Sequence, residues 1–90
     1  MTEFTPTPIM YYVYIIKSNK DDKLYTGFTN NIERRIKEHN NGLVGATRSR
    51  RPFNLVYYEA YSSEKDGRHR ELNLKLRSRA FAQLKKRIQE

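Results

Sequence analysis

The sequence has no cysteine, which removes both a disulfide framework and a thiolate-held metal. Histidine is almost as scarce: His39 and His69 are the only imidazoles, too few for a structural zinc cluster without carboxylates. Long apolar runs are missing as well, the longest falling far below the roughly 20 residues that a membrane-spanning helix requires. The first ten residues, MTEFTPTPIM, lack a basic start and an apolar stretch, so they do not read as a signal peptide. Pro6 and Pro8 point instead to an extended, mobile tail over residues 1–9. A single domain over residues 10–90 follows, and the expected compartment is the cytoplasm.

Acidic residues are the other scarcity. Eighteen Lys and Arg stand against ten Asp and Glu, for a net charge of +8. From Arg68 to Gln89 there are eight basic residues and one acid, Glu71. A field this one-sided attracts polyanions, of which a phosphate backbone is the commonest in a cell. A solvated helix face that keeps the protein soluble is the plainer use of such a run. Binding flat on a membrane would need a broad Trp/Phe/Leu face, which the chain lacks. At 90 residues folding buries only about 60% of the unfolded chain's surface, so the core must be small.

What is present begins with YYVYIIK, residues 11–17, aromatic and β-branched and therefore a predicted strand. Alternation puts Tyr12, Tyr14 and Ile16 on one face and Tyr11, Val13 and Ile15 on the other. Ser18 to Asp22 carry turn chemistry, and KLYTGF returns as a second strand, closing a hairpin. In TNNIERRIKEHNNG, Thr29 or Asn30 can cap a helix, with Asn30 and Glu33 forming a capping box and Gly42 ending it. Ile32 and Ile36 make its apolar stripe; Arg35 and His39 fall on the edge of that stripe, and Arg34 points to water. A basic residue bordering a buried face is not explained by solubility.

The loop LVGATRSRRP carries Arg48, Arg50 and Arg51, and FNLVYYEAY reads as a third strand. Residues 64–77 are predicted helical, with His69, Leu72 and Leu76 facing the core and the regular helix starting near Gly67. Ser78 is the expected cap of a last helix whose Phe81, Leu84 and Ile88 share a face. The order β-β-α-β-α-α describes an α+β domain with helices covering a small sheet.

Taken singly, none of the polar residues demands a function. Tyrosines suit strands, Arg35 could be a surface charge, and Glu71 could pair with Lys75 one turn on. Together they match what phosphodiester hydrolysis needs: a deprotonated water, neutralised phosphoryl oxygens and help for the departing oxygen. Arginine's planar fork suits the second task. A hard cation held by one carboxylate and waters suits the third, with Glu71 as its ligand. A tyrosine base would need a pKa well below about 10, and a nearby arginine and metal push it that way.

The motifs YVY (Tyr12 to Tyr14) and YTG (Tyr25 to Gly27), followed by TNNIERRIKEHN, resemble those of the GIY-YIG nucleases, in particular their short stand-alone branch. The resemblance spans residues 11 to 87 and includes TRSRRP and the strand after it. Arg35 lies eight residues after Gly27 and His39 four further on, as in the family's excision-repair and homing members. The resemblance implies a three-stranded antiparallel sheet flanked by helices and metal-dependent cleavage of nucleic acid. It implies that Tyr14 and Tyr25 are the motif tyrosines, Arg35 the catalytic arginine, and His39 the position held by histidine or tyrosine. Glu71 would be the acid that binds one Mg²⁺ or Mn²⁺, and Gly27 the glycine that lets the chain pass close to the site. The sequence departs from the pattern in having Tyr12 for the first motif's glycine, which is usual in this branch. It also has Gly67 and Arg68 where alanine and another helix former are expected.

The expected function is thus a metal-dependent endonuclease acting on DNA. Either Tyr25 or Tyr14 would be the base, His39 would orient the phosphate or assist the base, and Arg48, Arg50, Arg51 and Lys75 would hold the backbone without reading sequence. A nucleic-acid-binding module of the same fold that cuts poorly or not at all is the alternative. An adaptor for an acidic protein partner is the third possibility.

Overall fold

The computed structural model describes residues 9–88, so most of the expected tail lies outside the described residues. The elements are β1 (Tyr11–Ser18), β2 (Leu24–Thr29), α1 (Ile32–Asn40), a short 3-10 turn (Arg48–Arg50), β3 (Phe53–Tyr61), α2 (Glu64–Leu76) and α3 (Ser78–Ile88). The order expected from the sequence holds. The three strands form one antiparallel sheet in the order β2-β1-β3.

The alternation along β1 divides the molecule. Val13 and Ile15 are buried against Leu74 of α2 and Leu84 of α3, with Phe81 and Ile88 packed on the same cluster. Tyr14 and Ile16 are buried on the other face with Phe53, and Tyr25 and Ile36 of α1 close over them. The register places Tyr14 opposite Gly27 and Ile16 opposite Tyr25, so both motif tyrosines share the α1 face. Ser18 ends β1 fully buried, its hydroxyl accepting from the Lys20 and Asp21 amides and donating to the Arg50 carbonyl. The hairpin turn is thereby tied to the basic loop.

Four local expectations are corrected. Asn31, not Thr29 or Asn30, caps α1, its side chain accepting from the Arg34 amide; Glu33 is then too early to close a capping box. The chain does leave α1 through Gly42, whose φ is 76°. Helix α2 begins at Glu64 rather than near Gly67, because Ser63 caps it through the Asp66 amide. Its inward face is Gly67 and Leu74, whereas His69, Leu72 and Leu76 are exposed. Gly67 lies inside the helix for a steric reason: a Cβ there would come 2.6 Å from Cε1 of Phe28. The close approach of β2 and α2 outweighs the helix propensity that glycine lacks. Helix α3 already includes Ser78 as its first residue.

Helix α1 is set against the sheet by Asn40. Its side-chain amide donates to the Phe53 carbonyl and accepts from the Phe53 amide, at 3.1 and 2.7 Å. This pair of bonds mimics a strand pairing and fixes the height of the neighbouring His39.

Candidate active site

Tyr14 is almost completely buried, and its ring runs across β2 above Gly27. A Cβ on residue 27 would overlap the ring's Cζ and hydroxyl oxygen, so only glycine admits the phenol here. The hydroxyl meets His39 Nε2 at 2.7 Å, and His39 Nδ1 meets the Thr47 hydroxyl at 2.7 Å. Both His39 and Thr47 are fully buried. The Thr47 hydroxyl donates to the Val44 carbonyl, so its oxygen accepts from Nδ1–H. That leaves Nε2 unprotonated, to accept from the Tyr14 O–H.

The electrostatics keep both groups neutral in this arrangement. Burial, reinforced by the nearby Arg35 charge, holds the His39 pKa down to about 4, so the imidazole is neutral near pH 7. Burial pushes the Tyr14 pKa up to about 12, outweighing the pull of the Arg35 guanidinium that faces it. The arginine by itself therefore does not acidify Tyr14. Desolvation beats one arginine.

Arg35 also donates to Glu38 at 3.0 Å, while its Nε is buried without a partner. Tyr25 places its ring 5.3 Å from that of His39. From the far face of the sheet, Glu71 comes close enough for its charge to raise the Tyr14 pKa. Its carboxylate accepts from Lys75 at 2.8 Å and lies 3.7 Å from Arg68, with the side chain only 13% exposed. Tyr14 thus meets His39 and Arg35 above Gly27, with Tyr25 against the imidazole and Glu38 on the guanidinium.

Residues 10–87 match the family model described as the GIY-YIG catalytic domain. The chain belongs to the GIY-YIG family. Among similar GIY-YIG relatives, a UPF0213 protein of Clostridium perfringens is 53% identical over 68 residues, covering 73% of this chain and 71% of its own. One from Staphylococcus haemolyticus is 51% identical over 71 residues, covering 77% and 84%. The solution NMR structure of a UPF0213 protein from Bacillus halodurans is 39% identical and has a TM-score of 0.53. It covers 83% of this chain and 81% of that one. The three-stranded α+β fold of this GIY-YIG chain agrees with that neighbour.

The basic residues named from the sequence are placed less uniformly. Arg50 is taken up by Asp21, at 2.8 Å, and lies over the Phe53 ring. Arg48 and Arg51 are exposed, each giving one N–H to a backbone carbonyl and leaving the rest of the fork to face solvent. Lys75 is bound to Glu71. Sequence reasoning gave no role to Thr47 and Asn40, although both lie inside the quoted segments TRSRRP and TNNIERRIKEHN. It also missed Glu59, whose carboxylate receives the Arg70 fork and the hydroxyls of Tyr57 and Tyr61. Only the alternation of Tyr57, Glu59 and Tyr61 along β3 hinted that the three share a face. Among the described residues no helix is long and apolar enough to cross a membrane.

Proposed function

We propose that the protein is a metal-dependent phosphodiester hydrolase acting on nucleic acid, with DNA as the expected substrate. The observation that carries this reading is the buried row Thr47–His39–Tyr14, with Arg35 facing its outer end. A phenol with a pKa near 12 is a poor standing base at neutral pH. A phenol that already donates to a neutral imidazole needs no standing charge. Its oxygen would take the proton of the attacking water as its own proton moves to His39 Nε2, Thr47 keeping the imidazole in the accepting tautomer; the charge of a bound ion on that water would have to offset the low basicity of the buried imidazole. Tyr14 is therefore preferred to Tyr25 as the base, and Tyr25 borders the row. Arg35 stabilises charge on the phosphoryl oxygens, its unpartnered Nε being one donor for them.

Among the described residues no three His, Cys, Asp or Glu converge on one point. A single, largely enclosed carboxylate fits a hard cation that keeps several waters and completes its shell with substrate oxygens. Glu71 would hold Mg²⁺ or Mn²⁺, which neutralises charge on the phosphate and the departing oxygen when bound. Lys75 would have to release Glu71 first. Arg48 and Arg51 offer phosphate contacts that carry affinity without sequence preference.

One observation favours a second reading, a nucleic-acid-binding module that does not cut: Glu71 is already engaged by two cations. Cleavage of single-stranded, nicked and branched DNA with Mn²⁺, Mg²⁺ or a chelator separates the two. Ion-dependent cutting that disappears in Arg35→Ala and Glu71→Gln, with DNA binding largely kept, is the expected result. Undiminished cutting by either variant overturns the residue roles, and binding with no cutting of any substrate selects the module.

A further inference from the structure

We propose that the cleft between α1 and the first turns of α2 is a second phosphate site, holding the phosphodiester next to the one that is cleaved; the proposal rests on the hydrolase reading above. The cleft has a volume of about 280 Å³ and is lined by Arg34, Arg35 and Arg68, with Glu38 and Glu64 also on its wall. Three guanidinium groups against two carboxylates leave it positive. Arg35 belongs to this cleft and to the Tyr14 site at once, so a ligand filling one is contiguous with a ligand in the other.

Arg68 is the residue that makes the site. Its guanidinium lies 4.2 Å from the centre of the Phe28 ring, a cation–π contact that fixes the plane of the fork. The Phe28 ring can lie there because residue 67 is glycine and has no Cβ to meet it. The two departures from the family pattern, Gly67 and Arg68, are therefore one device: the glycine admits the ring, and the ring supports the arginine. Arg68 is three residues before Glu71, on the same side of α2, and the two lie 3.7 Å apart. Its side chain remains 61% exposed, with N–H groups available to solvent.

The other two arginines are held but not saturated. Arg34 donates to Asn30 at 3.2 Å and lies 3.9 Å from Glu38. Arg35 gives one N–H to Glu38 and borders both the cleft and Tyr14. Planar forks presented from two helices suit a phosphate's several acceptor oxygens better than a single carboxylate. The ligand class is an internal phosphodiester of a nucleic acid strand.

The test is binding without chemistry. Fluorescence anisotropy would follow fluorescein-labelled, mixed-sequence single-stranded and duplex oligonucleotides in EDTA, across a salt series, for the full chain and for Arg68→Met and Arg68→Lys. Methionine keeps an apolar stem over Phe28, and lysine keeps the charge without the fork. Arg68→Met is expected to bind about fivefold more weakly and to lower the salt slope by about one. Arg68→Lys is expected to recover the slope but not all the affinity. Unchanged affinity and slope in Arg68→Met overturns the second site and leaves the hydrolase reading standing. Absence of both binding and cutting by the wild type sinks that reading, and the second site with it.

Discussion

The Tyr14 hydroxyl and the His39 imidazole, 25 residues apart in sequence, meet at 2.7 Å inside the protein. Neither group is charged in that state, since burial raises one pKa and depresses the other. Replacing Tyr14 by phenylalanine removes the hydroxyl and leaves His39 Nε2 buried without a donor. We expect cleavage to fall by a factor on the order of 10² to 10³ and stability by about 1–3 kcal/mol. Single-turnover cleavage and urea denaturation measure the two separately. A Tyr14→Phe enzyme that cuts as fast as the wild type would remove the relay from the mechanism.

Gly27 is the steric complement of that phenol. Alanine at 27 places a Cβ on top of the Tyr14 ring, and the ring cannot retreat into a packed core without strain. Gly27→Ala should cost about 1–3 kcal/mol and disrupt the Tyr14–His39 bond. The His39 ring resonances, followed by NMR, report the second effect, and an unperturbed imidazole would count against it.

His39 also makes stability depend on pH in a defined window. Its folded pKa, about 4, lies below the unfolded value, so between those two values the unfolded chain binds the extra proton. Stability is therefore complete above about pH 6.5 and is lost as pH falls from there towards 4. From pH 7 to pH 5 the loss should be about 2 kcal/mol, and His39→Gln should abolish that slope. Asp21, whose pKa is lowered by its Arg50 partner, and Glu59 act below this range, because depressed carboxylates forfeit stability only under the unfolded carboxyl value. Denaturation midpoints for the two proteins at pH 5 and 7 decide the matter.

Glu59 is the most heavily bonded acid among the described residues. Burial alone would raise its pKa, but the Arg70 fork and the Tyr57 and Tyr61 hydroxyls hold it at about 2. Glu59→Ala leaves Arg70 and two phenols without their acceptor, between β3 and α2. A loss of about 2–4 kcal/mol is expected, read by urea denaturation. A change below the usual surface-substitution range of about 0.5 kcal/mol would show that the network adds nothing.

Residue pattern determined the elements of this protein and the faces of β1, while the grouping of Tyr14, Tyr25, Arg35, His39 and Glu71 was what the family resemblance implied. It could do so because alternation and motif spacing are local properties of the chain. It misjudged the inner face of α2, placing Leu72 and Leu76 inside where Gly67 and Leu74 are found. Apolar periodicity cannot register that an aromatic ring on β2 requires a missing Cβ opposite it. Protonation was likewise beyond its reach. Whether a phenol is acidified by arginine or made less acidic by burial depends on how much water the fold excludes, and tertiary packing alone decided that in favour of burial.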